Sequence, residues 1–366
     1  MTTPKIEIQL STHPASPKRR AELMTNPGFG RVFTDHMVVV PYTEGKGWGP
    51  GVLKAYGPIE LDPAASVLHY GQAIFEGFKA FKQQDGSIAC FRPDANARRF
   101  NTSARRLAMP DLPEDLFLAA AKALITQEQA WVPGAVGESL YMRPLMIATE
   151  AALGVKPSSE YLFLLLASPS GAYFPAGVKP VTVWISEDYV RAAPGGTGFA
   201  KCAGNYAASL VAQHQAKGQG CDQVVWLDAI HREYIEEMGG MNLFFVYQEQ
   251  GETVVVTPEL TGSLLPGITR DSLLQLAREQ GFRAEERRIS VSEWRSAIAE
   301  GRMTEAFACG TAAVITPVGE VKSARGGWTI HGGQTGPVAA KLRQMLLDLQ
   351  HGLAPDTHGW MKQIVG

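Results

Sequence analysis

The stretch that organises this chain is Ala193-Pro194-Gly195-Gly196-Thr197-Gly198-Phe199-Ala200-Lys201-Cys202-Ala203-Gly204-Asn205-Tyr206. One lysine stands between a glycine-rich approach and a Gly-Asn-Tyr exit. Glycines let backbone turn tightly and come close to a ligand, so they can aim a single amine inward. A desolvated lysine, or one beside another cation, loses its proton readily and can act as a Schiff-base nucleophile. The competing reading is a surface lysine on a flexible loop, and this stretch by itself does not choose between them. A phosphate loop of the Gly-Lys-Ser/Thr type is excluded, because Lys201 lies between Ala200 and Cys202.

Working outward, the 366 residues suit two domains better than one core. Hydrophobic residues make up 45% and charged residues 19%, as in an ordinary globular enzyme. With 34 basic and 36 acidic residues the formal charge is -2, and no basic run points to nucleic acid. No apolar run is long enough to span a membrane. Cys90, Cys202, Cys221 and Cys309 show no Cys-x-x-Cys spacing and follow no signal peptide, which predicts reduced thiols in the cytoplasm.

The pattern of strands and helices predicts a mixed α/β chain. His36 to Pro41 reads as a buried strand, with Val52 to Leu61 as its hairpin partner and Ser66 to Tyr70 as a third short strand. Phe75-Glu76-Gly77-Phe78-Lys79-Ala80-Phe81 reads as a strand, and Asp85-Gly86 turns it into Ile88 to Arg92. Pro93-Asp94-Ala95-Asn96 opens an arginine-rich helix, and Leu116 to Ile125 has the period of a second. Leu140 to Met146 and Tyr161 to Ala167 are strands, the former with Tyr141 and Arg143 on one face. Ser168 to Gly177 breaks every pattern and marks a linker. Beyond it, Val181 to Ile185, Cys221 to Leu227, Met241 to Tyr247, and Thr304 to Cys309 resuming at Ala313 to Pro317 read as strands. Ala207 to Ala216 and Pro337 to Gln350 read as helices, and Leu264 to Asp271 leads into another that runs to about Gln280. The expected division is 1–175, a linker over 176–185, and a larger part over 186–366 that carries Lys201.

Several further features have two readings each. Leu265-Pro266-Gly267-Ile268-Thr269 starts a helix, which is either a plain helix end or a cradle for phosphate. Gly310-Thr311-Ala312 is either a tight turn or a second anion cradle. Arg99 either grips phosphate in a bidentate manner or is solvated on a basic helix. Glu237, ahead of a buried strand, needs a partner that is either a protonated ring nitrogen or a nearby arginine. The eight histidines show no metal-ligand spacing, so no metal is expected. Taken together, a lysine, an acid, two anion-binding turns and an arginine form the inventory of a pyridoxal-phosphate site.

The motifs themselves are similar to those of the branched-chain aminotransferases. They are Tyr70 with Phe75-Glu76-Gly77-Phe78-Lys79-Ala80-Phe81, Phe91-Arg92-Pro93 with Asn96 and Arg99, and Tyr141-x-Arg143-Pro144. Tyr173-Phe174-Pro175, Lys201 with Gly204-Asn205-Tyr206, Glu237-x-Gly239-x-Met241-Asn242, Leu265-Pro266-Gly267 and Gly310-Thr311-Ala312 complete them, in family order from about Phe29 to the last helix. The resemblance implies the two-domain pyridoxal-phosphate fold type IV, with the active site between the domains, and a homodimer. It implies reversible transfer of the amino group of L-leucine, L-isoleucine or L-valine to 2-oxoglutarate. Lys201 would form the Schiff base and carry the proton, Glu237 would hold the pyridine nitrogen, and Tyr206 the ring hydroxyl oxygen. Arg99, the amides of Ile268 and Thr269, and the Thr311 hydroxyl would take the phosphate. Ala312 and the partner subunit's Tyr70 would hold the substrate carboxylate. Phe29, Phe75, Tyr141, Tyr173, Leu153 and Val155 would wall the side-chain pocket, with Arg143 receiving the second carboxylate of glutamate. D-amino-acid transaminases, aminodeoxychorismate lyases and a non-catalytic cofactor carrier remain the alternatives. Two departures stand out: Ala313 and Thr316 occupy the places of a Cys-x-x-Cys found in some relatives, and Gly240 stands where some have threonine.

Overall fold

The computed structural model describes residues 5–171 and 179–366. The expected pocket residue Tyr173, and most of the Ser168 to Gly177 break, lie outside them. The chain divides into two units. One holds Met1–Tyr173, Ala200–Ala203 and Asp348–Gly366; the other holds Phe174–Phe199 and Gly204–Leu347. This differs from one cut at a linker. The four residues around Lys201 and the last nineteen of the chain (348 to 366) belong with the first unit. The expected linker also runs too far, since Val181–Ser186 is already a strand.

Among the described residues the first unit is built on a ten-stranded sheet. Its central strands are His36–Thr43, Glu160–Ser170, Ser139–Ala148 and Phe78–Lys82, in that order. The apolar runs read from the sequence bury here: Val38, Val40, Phe78, Leu140, Met142, Phe163 and Leu165 are all 0–1% exposed. The helix Glu114–Gln127 lays Leu116, Phe117, Ala120, Leu124 and Ile125 onto this core, as its period requires. The helix Pro93–Arg106 starts on proline, with Asp94 in its first turn and Arg105 and Arg106 in its last, the charge order that suits a helix dipole. The C-terminal strand Met361–Val365 closes the sheet against Ile88–Phe91.

Three local expectations are corrected. Ser66–Tyr70 is one helical turn, not a strand; Gly71, at φ 62, ends it in the left-handed conformation glycine adopts without strain. The hairpin partner of the first strand is only Gly51–Ala55, because Gly57-Pro58 stops the ladder. The run from Phe75 to Phe81 is two strands, Ala73–Phe75 and Phe78–Lys82, both paired to Ser139–Ala148 but interrupted at Glu76-Gly77.

The second unit has a nine-stranded sheet in which Val181–Ser186 lies parallel to Gln223–Leu227 and to Val314–Ser323. The hairpin Met303–Gly310 and Val314–Ser323 and the long strand Met241–Glu249 fill its centre. Glu236 and Glu237 are themselves in a strand, Ile235–Met238, which the sequence reading left as an approach to the next strand. The helix Ile268–Glu279 ends within a residue of the expected Gln280, and Pro337–Gln350 has its expected bounds. The N-terminal N–H groups of the latter are capped by a buried carboxylate: Glu305, 3% exposed, accepts from Val338 N and Ala339 N at 2.9 Å each. Gly336 leaves the space for it, since a Cβ there would lie 2.0 Å from the Glu305 carboxyl carbon. Glu305→Ala therefore leaves two N–H groups of a buried helix end without that acceptor. It should lower stability by about 1–3 kcal/mol in urea melts, while Gly336→Ala should be comparably damaging through the clash.

Candidate functional site

In the first unit the peptide of Lys201 is fixed from both sides. Its N–H donates to Ser103 Oγ at 2.9 Å, from the helix Pro93–Arg106, and its carbonyl accepts from Phe75 N at 3.0 Å. The neighbouring Cys202 bridges Ile74. The result sets Lys201 Nζ 5.0 Å from the centre of the Phe75 ring. Phe75 also receives the Arg143 guanidinium, 4.8 Å over its face. Arg143 in turn donates from Nη2 to Tyr141 Oη at 3.0 Å and lies 5.3 Å over that ring. Phe29 meets Tyr141 edge-on at 4.8 Å.

A pocket of about 330 Å³ opens here, walled by Phe29, Gly30, Phe33, Tyr141, Arg143 and Leu166 with Ala167 and Ser168 behind. Its one charged lining group is the Arg143 guanidinium, whose Nε is buried with no hydrogen-bond partner among the described residues. Gly77 makes room for it: a Cβ there would stand 2.0 Å from Tyr141 Oη. Leu153 and Val155, expected in the same wall, are exposed at 65% and 86% and do not line this pocket within one chain. Leu153 instead offers its carbonyl to the hydroxyl of Tyr70, itself 43% exposed.

Arg99 is neither solvated nor simply poised. It holds Glu76 through two parallel bonds, Nε to Oε1 at 2.7 Å and Nη2 to Oε2 at 2.9 Å. Asn96 Nδ2 adds 2.7 Å to Oε2. Glu76 is fully buried, which opposes ionisation; Arg99, Lys201 and Asn96 outweigh this and hold its carboxyl below the ordinary 4.5. Sequence reasoning missed Glu76, although the signal existed. A carboxylate among buried aromatics needs a partner, the same argument that singled out Glu237.

In the second unit Glu237, 2% exposed, accepts from Leu265 N at 2.6 Å and lies 3.1 Å from Arg191 Nε. The nearby arginine that the sequence left as one alternative is thus present; nothing in the sequence pointed to Arg191. Arg191 Nη2 also donates to the carbonyls of Gly198 and Ser263. Gly198 must be glycine because its Cβ would lie 2.1 Å from the Ser263 carbonyl oxygen.

Asn242 ties the loop after Glu237's partner by donating to Leu265 O at 3.0 Å. The helix Ile268–Glu279 then begins at Gly267 with no side-chain cap, so its first N–H groups, Ile268 and Thr269 among them, form a dipole end suited to an anion. Tyr206 sits in the turn Ala203–Ala207, and Gly240 packs against its ring. Thr311 and Ala312 form the turn between Met303–Gly310 and Val314–Ser323. The first unit thus gathers Lys201, Arg99, Phe29, Phe75, Tyr141 and Arg143. The second holds Glu237, Tyr206, Ile268, Thr269, Thr311 and Ala312.

Glu76→Gln tests the buried pair. Removing one partner of a buried ion pair costs about 3–5 kcal/mol. The sign with pH follows from its lowered folded-state value: the stabilisation is fully present above the ordinary 4.5 and is lost as pH falls through the lowered value. The gap between parent and Glu76→Gln in urea melts should therefore be widest near neutrality and close as the solution is acidified below about 4.5.

Comparison with known proteins places these features in a family. The class IV amino-transferase family model matches residues 73–321. The probable branched-chain-amino-acid aminotransferase of Streptomyces coelicolor is 59% identical over 362 residues, 99% of each chain. The branched-chain-amino-acid aminotransferase of Mycolicibacterium smegmatis is 59% identical over 98% of this chain and 97% of its own. Among solved structures, the Escherichia coli branched-chain amino acid aminotransferase superposes with a TM-score of 0.72 at 29% identity. That match covers 89% of this chain and 99% of the other.

Proposed function

We infer the function from one premise: this chain belongs to the class IV amino-transferases. It is a branched-chain-amino-acid transaminase, moving the amino group of L-leucine, L-isoleucine or L-valine to 2-oxoglutarate. The observation that carries the substrate reading is the pocket of Phe29, Tyr141 and Arg143. One site must take a hydrocarbon side chain in one half-reaction and the γ-carboxylate of glutamate in the other. An aromatic wall buries the first, and the Arg143 guanidinium, whose Nε has no hydrogen-bond partner among the described residues, receives the second.

The donor set fits pyridoxal 5′-phosphate: a lysine amine, a buried acid, an uncapped helix N-terminus and an arginine. When bound, that cofactor supplies an electron sink that acidifies the amino acid's Cα–H. Lys201 would hold the cofactor through Nζ, and the same amine would take up and return the proton of Cα. Glu237, secured by Leu265 N and Arg191, keeps the pyridine nitrogen protonated. Tyr206 holds the ring hydroxyl oxygen. The amides of Ile268 and Thr269, the Thr311 hydroxyl and Arg99 hold the phosphate, with Glu76 fixing the direction of the Arg99 fork. Ala312 N–H and the partner subunit's Tyr70 would take the substrate α-carboxylate, and Phe75 would pack against the substrate.

A homodimer accounts for Leu68, Tyr70, Leu153 and Val155, which leave apolar surface exposed at 43–86%. The cytoplasm suits four buried, unpaired cysteines; among the described residues no helix is long and apolar enough to cross a membrane.

The deciding assay mixes the protein with L-leucine and 2-oxoglutarate and measures glutamate. Turnover only of D-amino acids, release of pyruvate from an aminated chorismate, or cofactor binding without turnover would each replace this reading. Lys201→Ala should still bind the cofactor but lose at least roughly three orders of magnitude in rate, the general-base contribution being about 10²–10⁴-fold. Arg143→Met should raise KM for 2-oxoglutarate by about 10–100-fold, the worth of a charged hydrogen bond. Reaction with leucine alone should change far less.

A further inference from the structure

Side chains alternate along the strand Ile235–Met238, so Glu236 and its neighbour Glu237 point to different surroundings. Glu236 is buried, 4% exposed. Its Oε1 accepts from the Ser263 hydroxyl, which also lies 2.7 Å from Thr261 Oγ1. Its Oε2 has no hydrogen-bond partner among the described residues. Glu236 is one of the residues around a cavity of about 70 Å³, with Pro194, Tyr234, Pro258 and Leu264 among the others.

Ser263 joins the two acids. Its hydroxyl serves Glu236, and its backbone carbonyl accepts Arg191 Nη2 at 2.6 Å. The Nε of the same guanidinium is 3.1 Å from Glu237 Oε2. One cation thus faces Glu237 directly and is linked to Glu236 through Ser263.

The other charged and titratable groups around the cavity do not relieve Glu236. Asp228 is occupied by the backbone N–H groups of Ile230, His231, Glu233 and Tyr234. Arg288 is paired with Glu259 at 2.9 Å and lies over the Tyr234 ring. His231 packs edge-on against that same ring. Burial first, then Glu237 and Asp228, push the Glu236 carboxyl up to about 7, against the pull of Ser263 and Arg191.

We propose that Glu236 is a positioning residue for Glu237: its proton decides how much of the Arg191 charge Glu237 keeps, and so how firmly Glu237 holds a protonated pyridine nitrogen. The inference rests on the reading of Glu237 given above. With Glu236 neutral, the trio Glu236, Arg191 and Glu237 sums to zero. With Glu236 ionised it sums to one negative charge, Arg191 is shared, and a ring N–H⁺ beside Glu237 is held more strongly. Because binding and protonation are linked, a protonated ring held at Glu237 must in turn favour the ionised form of Glu236. Ser263 is the adjustable contact, since its hydroxyl stabilises the ionised form of Glu236.

The test uses the holoenzyme reconstituted either with pyridoxal 5′-phosphate or with the analogue that has carbon in place of the ring nitrogen. The ratio of their dissociation constants isolates what is specific to the nitrogen. In the parent this preference should grow with pH across neutrality, by up to about tenfold, the value of one pK unit of coupling. In Glu236→Gln the preference should persist but be flat with pH. In Ser263→Ala the rise should move to higher pH, because the ionised acid loses a donor. A Glu236→Gln protein whose preference rises like the parent's overturns the proposal, as does a Ser263→Ala midpoint that stays in place. Glu237→Gln separates the underlying reading: if it keeps the parent's preference for the nitrogen cofactor, Glu237 is not at the ring nitrogen, whatever Glu236 does. Should Glu236→Gln fail to fold, infrared titration of the parent decides. It should show a neutral carboxylic acid that ionises near neutrality and shifts upward in Ser263→Ala; if none is found, the proposal fails.

Discussion

The chemistry of the first unit depends on a peptide clamped at both of its polar groups. Lys201 donates its N–H to Ser103 and receives the N–H of Phe75 on its carbonyl. A lysine side chain has four rotatable bonds, so only a fixed backbone makes its amine a directed group. The clamp joins a helix to a strand end, and both anchors belong to elements that also shape the pocket. Ser103 is four residues along the helix from Arg99, and Phe75 is next to Glu76. The Glu76–Arg99 fork therefore does more than satisfy two charges. It fixes the helix that holds the lysine relative to the strand that holds its carbonyl, in a place where an unpaired charge would be costly.

The same logic runs through the second unit with different parts. Glu237 is kept as an acceptor by Leu265 N and Arg191, and Arg191 also ties the loops at Gly198 and Ser263 together. Glycines stand where these loops touch: a Cβ at Gly198 would strike backbone, and one at Gly267 would lie 2.0 Å from Asn242 Oδ1. At Gly198 the obstacle is backbone, which cannot rotate out of the way as a side chain can, so that position admits glycine alone. The glycine-rich approach to Lys201 is thus explained in part by packing, not only by approach to a ligand.

The two sheets differ in how they leave room for chemistry. In the first, the ladder is broken at Glu76-Gly77, which frees a carboxylate to turn toward Arg99 and a glycine to lie under Tyr141. In the second, the hairpin of Met303–Gly310 and Val314–Ser323 carries Val314 at φ 63, an uncommon state for a β-branched residue. That strained position adjoins the Thr311-Ala312 turn, where the family resemblance places phosphate and carboxylate contacts. Strain of this kind persists where surrounding structure over-determines it.

The sequence by itself determined the long elements and the chemical inventory. Buried strands such as Tyr161 to Ala167 and the helix Pro337–Gln350 were legible because period and apolar run length are local properties. Lys201 and Glu237 stood out as candidates because a charge inside a glycine-rich or apolar pattern demands a reason, whereas Arg143 was singled out by the family resemblance. The short elements were not: Ser66–Tyr70 is five residues long, too short for a period to show, and Gly71 closes it as a helical turn. Tertiary structure alone decided the partners. Arg191 is 46 residues from Glu237 with no pattern linking them, and Glu76 finds Arg99 only because a helix folds back over its strand. It also decided that Ala200–Ala203 joins the first unit, since Lys201 takes its hydrogen bonds from residues about a hundred positions earlier. Local sequence fixes which groups the chain carries; which of them meet is set by packing between distant segments, where no local preference reaches.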